Sequence, residues 1–150
     1  LLGGTLTKKI TQTVTYHTYL VLKLFGYPVS QSGCTIYFDS PPSQIKSMII
    51  GPQCAGVVSQ SLFLLSFALM VIDVRDRIIA RRLPIFLALG SIGTYTANIF
   101  RLVILAVVGF HKGIRTMYSV HDYLGYILFL GWIALFWLIA FRLCVRKSKK

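Results

Sequence analysis

The chain has 150 residues, of which 55% are hydrophobic and 13% charged, and its mean hydropathy is +0.70; this excludes an ordinary soluble domain and predicts an integral membrane protein. The formal net charge of +12 raises the question of a nucleic-acid partner. Most of the Lys and Arg residues flank apolar runs, however, where basic residues orient helices and contact anionic lipid, so we expect membrane lipids and no nucleic acid as partners.

Residues 5–25 are rich in threonine, which favours a strand, but their apolar residues recur at helical spacing and predict an amphipathic helix. The helix could lie along the membrane interface or cover the segment that follows it. Turn residues then divide the chain into strand-length pieces at 27–29, 34–38 and 45–50, which predict two or three short strands. The apolar stripe of the helix consists of Leu6, Ile10, Val14, Leu20, Leu24 and Phe25.

Three apolar runs follow, at residues 55–74, 84–110 and 122–144. At about 1.5 Å per residue, twenty helical residues cover about 30 Å, which is enough to cross the hydrocarbon core of a bilayer. A basic loop at 73–82 separates the first two runs, and a short polar loop at 111–120 separates the last two. We therefore predict a membrane protein, mainly α-helical, with three transmembrane helices preceded by an amphipathic helix and a small β-hairpin-like element.

The distribution of basic residues predicts the orientation. The 73–82 loop carries four and the C-terminal tail five, whereas Lys112 and Arg115 are alone between the second and third runs. Because cytoplasmic loops are enriched in Lys and Arg, we expect a multi-pass protein of the cell membrane with a cytoplasmic C-terminus. Residues 1–53 would then be extracytoplasmic.

In this topology three polar residues come to the outer side of the membrane. Cys54 lies at the mouth of the first run and His121 at the mouth of the third, while Arg101 lies within the second, roughly 13 Å below its outer end. A cation at such a depth costs about 2.5–3.5 kcal/mol, so Arg101 should face a partner or a wet cavity. Thr94 and Asn98 share its helical face.

These three side chains predict acyl-transfer chemistry. A thiol at a helix N-terminus can be activated by an imidazole, and a guanidinium can bind a developing oxyanion. Individually, Cys54 could be a packed structural thiol, Arg101 a structural ion-pair residue, and His121 a helix cap beside Asp122; His111 is the rival base. Cys34, Cys54 and Cys144 lack CxxC spacing and a histidine at a metal-binding interval, so neither a metal nor another cofactor is predicted.

Three short motifs resemble the archaeosortase/exosortase family. They are Cys54-Ala55-Gly56 at the start of one span, Asn98-Ile99-Phe100-Arg101 in the next, and Val120-His121 at the start of the last. In that family a C-[SA]-G, an N-x-x-R and a late His hold the three catalytic positions. The resemblance covers about residues 20–145 and implies that Cys54, Arg101 and His121 are catalytic; Asn98, Gly56 and Thr94 are expected to support them or to bind substrate.

The resemblance implies a membrane transpeptidase that cleaves secreted proteins through a thioester. Its substrates would end in a short motif, an apolar helix and a basic tail, and the new carboxyl end would pass to an acceptor such as a lipid. Family members usually have further spans upstream, so residues 1–150 are expected to form a single, partial domain of this kind. The alternatives are a non-catalytic polytopic membrane subunit and a transporter fragment in which Arg101 is a structural residue or meets an anionic substrate.

Overall fold

The structure is a computed structural model that describes residues 2–43, 45–73 and 80–144. The predictions made for the basic loop, in its part from 74 to 79, and for the basic tail from 145 onward lie outside the described residues. The fold is mainly helical, as predicted. Its elements are α1 Leu2–Leu24, β1 Val29–Ser32, β2 Thr35–Phe38, β3 Ser47–Ile49, α2 Val57–Asp73, α3 Leu83–Lys112 and α4 Ile114–Cys144.

Helix α1 buries its threonines. Thr11, Thr15 and Thr18 are buried and each donates its hydroxyl to the carbonyl four residues earlier, at 2.8–2.9 Å, so no hydroxyl is left unpaired inside the helix. The helix predicted at residues 5–25 is present as α1, and of its apolar stripe Val14 is buried whereas Leu6 and Leu20 are exposed. The buried face combines the threonine methyl groups with Val14 and Leu22, whereas Leu6, Leu20, Leu24 and Phe25 point outward.

The three strands form an antiparallel sheet in the order β1-β2-β3. Alternation along β2 buries Ile36 and Phe38 on one face, and Met48 of β3 and the following Ile50 lie on the same face. This face packs against the C-terminal half of α3 and, together with α1, forms one hydrophobic cluster. The members of that cluster on α3 are Ile99, Leu102, Val103, Leu105, Ala106 and Phe110.

A second hydrophobic cluster joins α2, α3 and α4 at the opposite half of the bundle. Phe63 and Phe67 of α2 meet Phe136 of α4, and the rings of Phe63 and Phe136 are edge-to-face with centroids 5.2 Å apart. At the same end Arg82, just before α3, donates a hydrogen bond to the carbonyl of Leu143 near the end of α4. These contacts place α3 and α4 antiparallel over their full length.

The predicted loop at 111–120 is wrong. Helix α3 continues to Lys112, Gly113 alone makes the turn with φ of 86°, and α4 begins at Ile114. The hydroxyls of Thr116 and Ser119 bond the carbonyls four residues earlier, so a polar segment forms a regular, outward-facing helical start. The last helix therefore begins eight residues before the predicted span at 122–144, and His121 is not at its mouth.

Two of the described helices are long and apolar enough to cross a membrane. These are α3 and α4 over Leu83–Lys112 and Ile114–Leu143, each of which contains an 18-residue stretch of high mean hydropathy, 1.6 in α3 and 2.3 in α4. Helix α2 is apolar but has only 17 residues, so a count of three spans stays a prediction. Outward-facing positions in all three helices are filled by large apolar residues, including Leu65, Leu89 and Ile127. Such a surface suits lipid far better than water.

Candidate active site

Cys54 ends a 3-10 turn, Pro52–Cys54, between β3 and α2. The expectation that its thiol opens a membrane helix is wrong, because α2 begins only at Val57. Gly56 separates the turn from the helix with φ of +80°, a conformation that residues with a side chain rarely adopt. A Cβ at this glycine would also lie 2.8 Å from Asn98 Nδ2, so the chain passes α3 at very short range.

The three side chains that the sequence singles out lie in contact with one another. Cys54 Sγ is 3.5 Å from His121 Nε2, and Arg101 Nη2 is 3.1 Å from the same nitrogen. They come from three separate elements: the 3-10 turn, the middle of α3 and the second turn of α4. All of them are partly buried. The imidazole is thus the central group, with the thiol on one side and the guanidinium on the other.

The contact with Arg101 determines which nitrogen of His121 can accept a proton. A guanidinium nitrogen only donates hydrogen bonds, so the 3.1 Å bond requires a lone pair on Nε2 and places the ring proton of a neutral imidazole on Nδ1. Nε2 is also the nitrogen that faces the sulfur of Cys54. The imidazole can therefore accept the thiol proton without a change of tautomer, provided that the Arg101 N–H first leaves the single lone pair of Nε2.

Asn98 fixes the turn that carries the cysteine. Its Nδ2 donates a 3.0 Å hydrogen bond to the carbonyl of Cys54, and the residue is 5% exposed. Asn98 lies one turn before Arg101 on α3, which is why both side chains face the same 3-10 turn. Among the described side chains, Asn98 Oδ1 and Arg101 Nε are buried polar atoms without a hydrogen-bond partner.

Thr94 does not contact the thiol. Its hydroxyl donates to the carbonyl of Gly90 at 2.9 Å and accepts a 3.2 Å bond from the indole Nε1 of Trp132. Thr94 is thus bonded toward the second hydrophobic cluster, although it shares a cavity wall with Asn98. The structure gives it a role in packing α3 against α4.

The other histidine of this region lies outside the cluster. His111, the rival base, has its Nε2 3.4 Å from the hydroxyl of Tyr27, and its ring lies edge-to-face against Phe110. Cys34, half-buried beside the sheet, has no disulfide. The described side chains contain no group of three His, Cys, Asp or Glu that could hold a metal ion.

Sequence reasoning missed Gly125. A Cβ there would lie 3.1 Å from Cζ and Nε of Arg101, so the absence of a side chain gives the guanidinium its room. Gly125 follows His121 by four residues and therefore lies on the same face of α4. That spacing is the sequence signal that could have identified it.

Two cavities, each of about 250 Å³, flank the cluster. One is bounded by Cys54, His121, β3 and the first turns of α4, with an apolar floor. The other lies between α2, α3 and α4 and is bordered by Asn98 and Arg101. The cluster is therefore accessible from two sides.

The comparisons with known proteins identify a family. A protein-family model described as transmembrane exosortase matches residues 2–138, which includes α1, the sheet, all three site-bearing elements and most of α4. No curated protein and no solved structure gives a significant match. The matched segment covers well over half of the chain, and it contains Cys54, Arg101 and His121. The chain belongs to the transmembrane exosortase family.

Proposed function

We propose that the chain is a cysteine-dependent membrane transpeptidase in which Cys54 is the nucleophile, His121 the general base and acid, and Arg101 the oxyanion-binding group. Exosortases lie in the membrane and act on secreted proteins that carry sorting signals, as a peptidase or transpeptidase. The observation that carries the finer assignment is the convergence on His121 Nε2 of the Cys54 sulfur at 3.5 Å and the Arg101 guanidinium at 3.1 Å.

The first half of the reaction follows from these contacts. His121 Nε2 takes the thiol proton of Cys54, and the sulfur attacks the scissile carbonyl carbon of the substrate. The tetrahedral intermediate collapses to a thioester as the peptide C–N bond breaks, and the imidazolium returns its proton to the leaving amine. An acceptor amine or water then attacks the thioester and regenerates the free thiol.

Arg101 changes partner during this cycle. In the resting site it donates to His121 Nε2, but once that nitrogen carries a proton it can no longer accept. The guanidinium N–H is then free to turn toward the negative charge that develops on the substrate oxygen. A preorganised donor of this kind contributes most where water is excluded.

We propose that the site lies at the outer boundary of the hydrocarbon, with the C-terminus in the cytoplasm. Helix α3 spans 30 residues, or about 45 Å, so roughly 15 Å of it exceeds a hydrocarbon core of about 30 Å. Arg101 is about 16 Å from the Lys112 end of α3 and His121 about 10 Å from the start of α4. Helix α1 and the sheet pack around this same end, which supports placing it outside the bilayer.

The assignment is tested by replacing the thiol. In cells that co-express a secreted protein ending in a short motif, an apolar helix and a basic tail, Cys54→Ala and Cys54→Ser should abolish conversion of precursor to product, followed by gel shift and by the mass of the new C-terminus. Cys34→Ala is the matched control, because Cys34 is also a half-buried free cysteine but lies away from His121. The control should process the precursor at the wild-type rate.

The same experiment distinguishes the competing functions. A non-catalytic membrane subunit and a transporter fragment both tolerate Cys54→Ser, since neither needs a nucleophile. If membrane-inserted Cys54→Ala protein still releases the product, the cysteine mechanism is wrong.

A further inference from the structure

β3 is an open edge strand beside the reactive thiol. In the described part of the chain the sheet ends at β3, and no further strand pairs with it. Five residues after Ile49 the chain reaches Cys54, and β3 and Cys54 border the same cavity. An edge strand exposes a row of unpaired main-chain N–H and C=O groups, which can bind another extended chain.

The register shows which groups point outward. The amide of Phe38 bonds the carbonyl of Lys46, and the amide of Ile50 bonds that of Cys34, so even-numbered residues of this segment pair with β2. In an antiparallel ladder the intervening residues direct their main-chain groups to the other side. Ser47 and Ile49 therefore present their N–H and C=O groups to the open edge.

A cavity lies beside this edge. The cavity of about 250 Å³ lies between β3 and the first turns of α4, with Leu102 and Leu105 as its floor. An added strand would lie at the ordinary interstrand spacing of about 4.8 Å from β3. The cavity borders β3 on the side where such a strand would pair.

We propose that the substrate segment around the scissile bond binds as a fourth strand on β3, with Ser47 and Ile49 supplying the main-chain hydrogen bonds. This inference rests on the proposed function, because it assigns the way in which that site holds its polypeptide. Strand addition supplies affinity through the main chain, and pockets for alternate side chains supply specificity. The apolar helix of the sorting signal would remain outside this cavity, in contact with lipid.

The faces of the sheet predict which substrate side chains matter. The face that carries Ile36 and Met48 packs on α3, so a fourth strand would direct every second side chain toward Leu102, Leu105 and Met117. This floor is apolar in all three residues. The substrate segment beside the scissile bond should therefore carry small or apolar residues at alternate positions, and polar residues are tolerated between them.

A proline on the edge tests the main-chain contact. Ile49→Pro removes an outward N–H and leaves the ladder to β2 intact, and Ile49 is 74% exposed, so the fold should tolerate the change. With purified enzyme and purified precursor in detergent, we expect KM to rise about ten-fold. A loss of this size corresponds to the removal of one desolvated hydrogen bond. The kcat should change much less. Gln31→Pro is the control, since Gln31 occupies the matching outward position on the opposite edge strand β1.

A photo-crosslinker provides a second measurement that does not depend on stability. Tyr118 lines the cavity opposite β3, whereas Tyr123 on the same helix is equally exposed but lines no part of it. Benzoylphenylalanine at 118, in the Cys54→Ala enzyme, should crosslink the precursor within a few residues of its cleavage point. The same group at 123 should give no adduct in that segment.

The outcomes separate this inference from the proposed function. If Cys54→Ala abolishes processing while Ile49→Pro and Gln31→Pro have equal KM values, or position 118 crosslinks only the apolar helix, strand addition is wrong and the cysteine mechanism stands. If Cys54→Ala still processes the precursor, the proposed function itself is wrong. A rise in KM confined to Ile49→Pro together with the adduct at 118 supports the fourth strand.

Discussion

The two halves of the helical bundle are packed in different ways. In one half, which we term the aromatic end, large rings from α2, α3 and α4 interlock. In the other, the site end, polar side chains from the 3-10 turn, α3 and α4 meet under the sheet and α1. The aromatic end consists of Phe63, Phe67, Phe86, Trp132, Phe136 and Trp137, and the site end of Cys54, Asn98, Arg101 and His121.

Each end contains a glycine that lets two helices approach closely, but the side chain that faces the glycine differs between the two ends. A Cβ on Gly93 would lie 1.8 Å from Cζ2 of the Trp132 indole, which is a rigid ring. A Cβ on Gly125 would lie 3.1 Å from Cζ of Arg101, at the end of a flexible side chain. The aromatic end should therefore control stability through shape, whereas the site end should control activity through the position of charged and polar groups.

The largest expected effect is the loss of His121, the proposed base, at the site end. Removing the imidazole with His121→Ala should lower the processing rate by about 10²–10⁴-fold, the usual contribution of a general base, with little change in the unfolding temperature. His111→Ala is the control, because that ring packs on Tyr27 and Phe110 and not on the thiol. Equal rates for the two variants would show that His121 is not part of the mechanism. The site end would then no longer differ from the aromatic end in its control of activity.

The next effect concerns the stability of the aromatic end. Gly93→Ala forces a methyl group into the Trp132 ring, and overpacking of this kind costs about 1–3 kcal/mol. Thermal unfolding in detergent should show the loss, while the processing rate per folded molecule stays near that of the wild type. Gly131→Ala is the control, since among the described residues no atom beyond the backbone of its own helix lies within 4 Å of its added Cβ. If Gly93→Ala instead kept the wild-type unfolding temperature and lost its processing rate, the aromatic end would control activity and not stability.

The sequence correctly predicted that Cys54, Arg101 and His121 come together, but not the connection between α3 and α4. Cys54, Arg101 and His121 could be grouped because each is an unusual polar residue near an apolar run, and buried polar residues are expensive enough to be informative. The polar segment 111–120, in contrast, was wrongly predicted to be a loop. The hydroxyls of Thr116 and Ser119 bond carbonyls of the preceding helical turn, and Gly113 alone makes the turn between the helices. The polarity of the segment therefore did not indicate that it is helical.

The packing of α1 and the place of Gly125 were not predicted, for a common reason. The spacing of the apolar residues predicted the helix, but the threonine hydroxyls bond the preceding helical turn and leave the methyl groups free to pack, which no count of apolar residues reveals. Gly125 carries no side chain, so its importance appears only when the guanidinium of Arg101 is seen beside it. The packing of the threonines and the position of Gly125 both depend on which neighbouring groups contact the helix, and the residue pattern of the helix itself does not show this.

A smaller effect should follow from crowding at the site end. Gly125→Ala brings a methyl group to 3.1 Å from Arg101 Cζ and Nε, so the guanidinium must shift by a few tenths of an ångström. We expect about a ten-fold loss of rate, since displacement of the proposed oxyanion donor Arg101 is costly. The unfolding temperature should equal or exceed that of wild type, because alanine favours a helix by about 1 kcal/mol relative to glycine. Gly131→Ala again controls for the helix propensity. A fall in stability instead of rate would place Gly125 with the aromatic end.

The smallest effect locates the boundary between the two ends. Thr94 is one turn from Asn98 on α3, yet its hydroxyl accepts the indole N–H of Trp132, so by its contacts it belongs to the aromatic end. Thr94→Val keeps the shape and removes this bond, which should cost about 1 kcal/mol of unfolding free energy and change the rate less than about two-fold. Asn98→Leu, the matched variant one turn away, should lower the rate much more because it frees the carbonyl of Cys54. A rate loss in Thr94→Val as large as in Asn98→Leu would extend the site to Thr94 and show that the indole contact positions the catalytic helix face as well as packing it.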